Sequence, residues 1–240
     1  MTDEKSGVRL NKYLSDCGYC SRREADRLIE SGAVTIDGIP GHLGDRVRPG
    51  MEVRVNGSLL KDGAKKVYLA LYKPRGIVST ADEREPLNVV SYLHYPTRVY
   101  PVGRLDKESE GLLLMTSDGE IVNRLLRAAG GHEKEYLVVV NKPLTEEFLK
   151  AMRAGVFLEE LKMRTLPARV FPETQNSFRV VLTQGLNRQI RRMCETLGYR
   201  VRSLKRLRIE NITLDGLSLG HFRELTEEEK QELFKRIGMS

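Results

Sequence analysis

The apolar run LLLM at positions 112–115 restricts the fold more than any other segment of the 240-residue chain. Four consecutive apolar side chains between polar neighbours predict a strand buried inside a sheet. Comparable patterns predict strands over 67–72, 111–116, 136–140, 178–183 and 201–209, and helices over 119–129, 145–154, 187–197 and 226–237. Because these helices do not alternate strictly with the strands, we predict an α+β fold whose mixed, mostly antiparallel sheet is flanked by helices.

The first sixty residues have the pattern of a separate small module. Apolar residues at helical spacing predict a helix from Leu10, and the capping box of Ser21 and Glu24 predicts the start of a second helix. Short strands follow, with hairpin turns at 37–38 (DG) and 56–57 (NG). Residues 61–66 (KDGAKK) have the composition of a polar linker. We therefore divide the chain into a small α/β module over 1–62 and a larger domain over 67–240.

Positive charge is concentrated in the larger domain. The chain has a net charge of +7, yet residues 1–62 hold ten basic and ten acidic residues. Residues 179–208 alone contain nine basic residues against Glu195. Such a segment favours a polyanionic partner, of which nucleic acid is the commonest. No run of about 18 apolar residues predicts a membrane span, and three cysteines without a secretory leader favour a cytoplasmic protein.

Cofactor and metal signatures are missing from the sequence. Neither a G-x-x-x-x-G-K-[ST] phosphate loop nor a G-x-G-x-x-G motif occurs, and the four histidines have no ligand spacing. We therefore expect no cofactor and no metal site.

Three features could carry chemistry, and the residues alone leave each of them open. Asp106 is either a turn residue or a catalytic carboxylate held at the edge of a strand. Tyr136 either packs on the core or stacks on a nucleic-acid base. Asn187 is a candidate N-cap for a helix bearing Arg188, Arg191 and Arg192 on one face, which is either solvated or an anion site near the helix N-terminus.

Taken in order, several motifs resemble those of the RNA pseudouridine synthases. The segment GRLD (103–106), followed by GLLL (111–114), resembles the family's catalytic motif, and KPRG (73–76) resembles its first motif. The segment KEYLV (134–138) matches the strand that carries the family's tyrosine, and GLNRQIRRM (185–193) matches the third motif of the RsuA type. Within that type the likeness is greatest to the RluF branch, which acts on large-subunit ribosomal RNA. The stretches RLNKYL (9–14), SRREAD (21–26) and IESGAV (29–34) resemble an S4 RNA-binding domain.

The resemblance implies roles for particular residues. Asp106 would be the essential aspartate, acting as nucleophile or base, Tyr136 would stack on the base and accept or position a proton, and Arg191 would pair with Asp106 through a forked contact. Lys73 would support the tyrosine, and Ile190 would wall the pocket. Substrate binding would involve Arg104, Lys73, Ile190, Arg188 and Arg192. RNA binding by the S4-like module would involve Arg9, Lys12, Arg22, Arg23 and Arg27.

The resemblance also implies a reaction. A monomeric, cofactor-free enzyme would flip a uridine out of ribosomal RNA (23S rRNA) or of a ribosomal assembly intermediate, at a cost of a few kcal/mol. It would break the C1′–N1 bond and rejoin the base through C5. A non-enzymatic S4-domain assembly factor is the main alternative. A DNA-binding regulator is a weaker one, because the helix pair near the N-terminus has no sign of dimerisation.

Overall fold

The structure, a computed structural model, describes residues 7–61, 65–82, 84–126 and 130–239. Contacts divide the chain into two compact units, Met1–Lys66 and Val67–Ser240. The predicted linker therefore lies partly outside the described residues, as does the end of the helix predicted over 119–129. No helix of the described part is long and apolar enough to span a membrane.

Among its described residues, the N-terminal unit contains two helices and six short strands. In chain order they are β1 (Val8–Arg9), α1 (Leu10–Asp16), α2 (Arg22–Glu30), β2 (Val34–Ile36), β3 (Ile39–Pro40), β4 (Arg46–Val47), β5 (Val53–Val55) and β6 (Ser58–Leu59). The sheet order is β3-β2-β5-β6, and β1 pairs with β4.

Local sequence signals account for these elements. The Ser21 hydroxyl accepts a hydrogen bond from the Glu24 amide at 3.1 Å and caps α2. Both hairpins turn through two residues of positive φ, Asp37–Gly38 at 49° and 81° and Asn56–Gly57 at 49° and 78°, as their sequences predict. Leu10, Leu14 and Ile29 bury their side chains against the strands in one small core.

The C-terminal unit contains eleven strands and five helices among its described residues. The strands are β7 (Tyr68–Lys73), β8 (Tyr100–Pro101), β9 (Glu110–Thr116), β10 (Lys134–Val140), β11 (Phe157–Leu158), β12 (Met163–Arg164), β13 (Arg169–Thr174), β14 (Ser177–Leu182), β15 (Val201–Ile209), β16 (Ile212–Thr213) and β17 (Phe222–Glu224). The helices are α3 (Val89–Leu93), α4 (Gly119–Leu126), α5 (Glu146–Ala154), α6 (Gln189–Thr196) and α7 (Glu227–Arg236), with a 3₁₀ turn at Glu159–Leu161.

Nine of these strands form one sheet, whose main path is β13-β14-β10-β15-β9-β7-β17. Its apolar face under β10 and β14 packs against α5 and α6. A second core lies between β7, β9, α4 and α7, and α7 begins with the capping box of Thr226 and Glu229. The predicted α+β architecture with a mixed, mostly antiparallel sheet is confirmed.

The described strands of this sheet meet in parallel at one seam, where β15 lies beside β9. Arg206 is in register with Gly111 there. A Cβ on Gly111, whose φ is +121°, would overlap the backbone of Arg206, so glycine permits the close approach. The loop that carries Asp106 runs directly into β9 at this seam.

Candidate active site

An open cleft lies between the loop over 103–109 and the start of α6. Arginines and one carboxylate line one side, and apolar side chains line the other. The lining residues are Arg104, Leu105, Asp106, Tyr136, Leu182, Gln184, Gly185, Leu186, Arg188, Gln189, Ile190 and Leu204.

Asp106 presents the cleft's carboxylate. Its side chain is 30% exposed, and its carbonyl accepts a hydrogen bond from the Ser109 amide at 3.0 Å, which closes a turn. Arg191 Nε lies 3.6 Å from Oδ2, and Arg188 lies 3.9 Å from the same oxygen. The two guanidinium groups lie beside the carboxylate, yet neither is within hydrogen-bond distance. The Asp106 oxygens are therefore available to a ligand.

Arg191 is the buried cation of the site, with 8% of its surface exposed. It projects from α6, and its Nη2 donates to Ser109 Oγ at 3.0 Å. Nε faces Asp106 and has no hydrogen-bond partner in the described part of the chain. Arg191 and Asp106 thus form the expected ion pair, but the pair is not forked, because the second nitrogen bonds the Ser109 hydroxyl instead.

The three arginines of this segment do not share a face. Arg188 extends over the loop, 3.7 Å from Glu108 as well as beside Asp106. Arg192 points away from the cleft and pairs with Glu160. Of the arginines expected to bind substrate, the cleft is therefore lined by Arg104 and Arg188 but not by Arg192.

The start of α6 also differs from the prediction that Asn187 caps it. The N-cap position is Arg188, in the left-handed conformation with φ +51°. Gln189 closes the turn by accepting a hydrogen bond from the Leu186 amide at 3.1 Å. The Asn187 carbonyl instead accepts from Arg192 Nε at 3.1 Å. This tight turn directs Arg188 toward Asp106.

Tyr136 and Ile190 form part of the apolar side of the cleft. The half-buried Tyr136 ring packs on the core beneath α6, and its position in β10 is fixed between Val180 and Arg206. Ile190 is 4% exposed on the first turn of α6. Together with Leu204 they offer a flat apolar surface on which a planar ring could stack.

Lys73 lies outside the cleft, contrary to the expectation that it contacts substrate. Its side chain is 0% exposed, and Nζ donates to the carbonyls of Pro74 at 2.8 Å and Ser109 at 2.9 Å. Burial, with a contribution from Arg206, lowers the pKa of Lys73 to about 8. Through its two hydrogen bonds, the Lys73 ammonium holds the end of the Asp106 loop.

The sequence analysis missed two residues that fix the Asp106 loop. The buried Ser79 hydroxyl donates to the Leu105 carbonyl at 2.8 Å and accepts from the Leu105 amide at 3.1 Å. Arg206 Nη1 donates to the Arg104 carbonyl at 3.4 Å. Both contacts link residues distant in the sequence, and no local pattern marks either residue.

In the N-terminal unit the expected RNA-binding residues are polar surface side chains. Arg9, Arg22, Arg23 and Arg27 are exposed. Lys12 pairs with Asp16 at 2.9 Å, and Arg27 pairs with Glu24 at 2.9 Å. All five lie on α1, on α2 or on β1.

Comparisons with known proteins agree with both units. The family model of RNA pseudouridylate synthases matches residues 67–196, and the model of the S4 domain matches residues 8–53. The dual-specificity RNA pseudouridine synthase RluF of Escherichia coli (strain K12) is 51% identical over 234 residues, which is 97% of this chain and 80% of that protein.

A second relative and a solved structure extend these matches. The ribosomal large subunit pseudouridine synthase B of Bacillus subtilis (strain 168) is 37% identical, over 94% of this chain and 95% of that protein. A crystal structure of a pseudouridylate synthase superimposes with a TM-score of 0.69 at 28% identity, covering 95% of this chain and 100% of that one.

Proposed function

Because the chain belongs to the RNA pseudouridine synthase family, we propose that it isomerises a specific uridine of large-subunit ribosomal RNA to pseudouridine. The name of the B. subtilis relative specifies the large ribosomal subunit. The name of the E. coli relative specifies dual specificity, so we extend the proposal to a second RNA accepted by the same cleft. The enzyme acts as a cytoplasmic monomer on rRNA or on an assembling ribosomal particle.

The observation that carries this proposal is the composition of the cleft. One carboxylate, that of Asp106, lies across the cleft from an apolar wall that contains Tyr136. Arg191 Nε lies 3.6 Å from Asp106 Oδ2. A planar base needs the apolar wall, and the glycosidic carbon needs a nucleophile or a base beside it. A protein that only binds RNA has no need of this arrangement, so the assembly-factor alternative does not explain it.

Different residues act in successive steps of the reaction. Asp106, ionised, attacks the sugar or removes a proton from it, and the C1′–N1 bond breaks. The uracil stays stacked on Tyr136 with about 1–3 kcal/mol of stabilisation, walled by Ile190, while it turns. The C1′–C5 bond then forms, while the C1′–Asp106 bond breaks in the attack route or Asp106 returns the proton to the sugar in the other route. The C5 proton leaves through an acceptor positioned by Tyr136, and N1 gains a proton. Atoms and electrons balance within the nucleotide, so the reaction consumes no cofactor.

RNA binding supplies the energy that extrudes the uridine. Unstacking costs a few kcal/mol, and contacts between cations and phosphates offset it. Arg104 and Arg188 at the rim of the cleft bind the phosphates that flank the flipped nucleotide. Arg9, Lys12, Arg22, Arg23 and Arg27 of the S4 domain bind further phosphates of the same RNA.

Release of tritium from rRNA labelled at uridine C5 tests the proposal. The wild type should release the label, and Asp106→Asn should lower the rate by at least about 10³-fold, since the substitution keeps the shape and removes the reacting oxygen. Glu108→Gln is the matched control, because Glu108 lies on the same loop and its side chain is 70% exposed. It should stay within about threefold of the wild type, as expected of a surface residue.

Two results would contradict the proposal. An Asp106→Asn variant with wild-type release would remove the assigned role of the carboxylate. Absence of release by the wild type from naked rRNA, assembly intermediates and a pool of other cellular RNAs alike would remove the assigned substrates.

A further inference from the structure

Arg206 lies at the point of the sheet where the two sides of the cleft meet. Its backbone is in register with Tyr136 of β10 on one side and with Gly111 of β9 on the other. The first strand carries the aromatic wall, and the second follows the loop of Asp106. Arg206 is therefore a single residue connected to both halves of the site.

The side chain of Arg206 is buried although it carries a charge. It is 3% exposed, so the guanidinium cannot serve as a surface contact for phosphate, even though it belongs to the basic 179–208 segment. Nε donates to the Leu112 carbonyl at 2.6 Å, and Nη1 donates to the Arg104 carbonyl at 3.4 Å. Nη2 has no hydrogen-bond partner within the described residues.

This environment is costly for an arginine. No carboxylate forms an ion pair with Arg206 among the described residues, and one of its donors is unsatisfied. A buried cation of this kind is stabilised less than an apolar side chain of similar volume would be. Stability alone therefore does not explain an arginine at this position.

What the guanidinium does provide is a rigid link. The Leu112 carbonyl belongs to β9, and the Arg104 carbonyl lies two residues before Asp106. One planar group therefore joins the strand to the loop that leads into it. The Ser79 hydroxyl also holds both backbone groups of Leu105. The segment that carries Asp106 is thus held by two side chains from distant parts of the chain.

We propose that Arg206 is a positioning residue, which fixes the Arg104–Asp106 backbone relative to Tyr136. The proposal rests on the function proposed above and adds a requirement to it. A displacement of a reacting group by about 1 Å can cost about 100-fold in rate. Loss of the link should therefore slow the chemical step and leave RNA binding intact.

The test compares Arg206→Met and Arg206→Lys with the wild type in single-turnover tritium release, in KM for rRNA and in hydrogen exchange of the amides over 103–109. Arg206→Met should react about 30–100-fold more slowly, with KM within about threefold and with faster exchange in the loop. Arg206→Lys, which keeps the charge but can reach fewer carbonyls, should fall between Met and the wild type. Arg202→Met, an exposed position on the same strand, is the control and should leave loop exchange and rate unchanged.

Each alternative role gives a different result. A purely electrostatic role predicts full activity in Arg206→Lys, and a purely structural role predicts a lower melting temperature with a normal rate and normal loop exchange. Either result would overturn the proposal. If Arg206→Met does not fold, a double-mutant cycle of Arg206→Lys and Ser79→Ala tests the proposal instead.

In that cycle both residues act on one loop, so their effects on rate should be non-additive, and additive effects would overturn the proposal. The hydrogen-exchange result does not depend on activity. An inactive wild type would thus contradict the proposed function, whereas unchanged loop exchange in Arg206→Lys and Arg206→Met would contradict the positioning role.

Discussion

The N-terminal unit and the seam beneath Asp106 use positive charge in opposite ways. In the N-terminal unit the cations lie on the surface, and some pair with a neighbouring acid, as Lys12 does with Asp16 and Arg27 with Glu24. Exposed pairs of this kind contribute about 0–1 kcal/mol each. They can exchange the acid for a phosphate at little cost in folding.

At the seam the cations are buried, and their hydrogen bonds go to uncharged oxygens. Lys73 bonds two carbonyls, Arg206 bonds two carbonyls, and Arg191 bonds the Ser109 hydroxyl. All of these acceptors lie on the loop of Asp106 or beside it. Under the proposed function, surface charge serves RNA affinity, whereas buried charge serves the geometry of the site.

The largest expected effect comes from the backbone of the seam. Gly111→Ala places a methyl group against the backbone of Arg206 at a φ of +121°, so overpacking and strain together should cost about 4 kcal/mol. Gly57→Ala is the control in the N-terminal unit, where φ is +78° and the space is open, and it should cost about 1 kcal/mol.

Urea unfolding followed by circular dichroism measures both glycine variants, with hydrogen exchange assigning the loss to a unit. Equal losses in the two variants would remove the distinction between a crowded seam and an open hairpin.

The second effect concerns the buried cation that faces Asp106. Arg191→Leu removes the guanidinium beside the carboxylate and the bond to Ser109, and it should lower the single-turnover rate about 100-fold, equivalent to about 2.7 kcal/mol. The neighbouring Arg192→Leu removes a cation that pairs with Glu160 outside the cleft. Its rate should stay within about threefold, and a loss as large as that of Arg191→Leu would mean that Arg192 also acts on the substrate.

The elements that could be predicted from the sequence are those fixed by neighbouring residues. Ser21 and Thr226 cap their helices, and the turns at 37–38 and 56–57 reverse the chain, because each signal acts over two to four residues. The order of strands in the sheet follows from contacts between distant segments, and no periodicity encodes it. The N-cap at Asn187 was wrong for a related reason, since Gln189 and Arg192 compete for the same turn.

In the candidate site, too, some residues could be predicted from the sequence and others could not. The ordered motifs single out Asp106, Tyr136 and Arg191 because their residue types stand at recognisable positions in the sequence. Ser79 and Arg206 bond to carbonyls 26 and 102 residues away in the chain. A backbone carbonyl has no identity in the sequence, so the residues that hold the loop could not be predicted. The misplacement of Lys73 has the same origin.

The third effect is a pH dependence that only a buried lysine should produce. Burial lowers the pKa of Lys73 from its ordinary 10.5 to about 8. Below pH 8 the folded and unfolded chains are both protonated at this residue, and the folded chain bears the full cost of the buried charge. Between about pH 8 and 10.5 the folded chain loses this proton first, so the unfolded chain binds more protons and stability rises.

Relative to Lys73→Met, the wild type should therefore gain about 3 kcal/mol of stability between pH 7.5 and 10.5. The measurement is the difference in the free energy of unfolding between the two proteins at each pH, which cancels the titration of other groups. A flat difference would show that the Lys73 ammonium is not desolvated in solution.

The smallest effect should come from the S4 domain. Arg22 and Arg23 are exposed and have no acidic partner within the described residues, so the double variant Arg22→Ala/Arg23→Ala loses two phosphate contacts without disturbing the fold. Affinity for rRNA should fall about three- to tenfold at moderate salt, and the slope of log K against log salt should decrease by about 0.7–0.9 per contact. Arg54→Ala is the control, since Arg54 lies on β5 and is not among the residues expected to bind RNA. The single-turnover rate at saturating RNA should not change in either variant, because neither variant removes a residue assigned to the chemical step. A slower chemical step in the double variant would mean that the S4 domain also shapes the active site, and the separation of affinity from geometry would then fail.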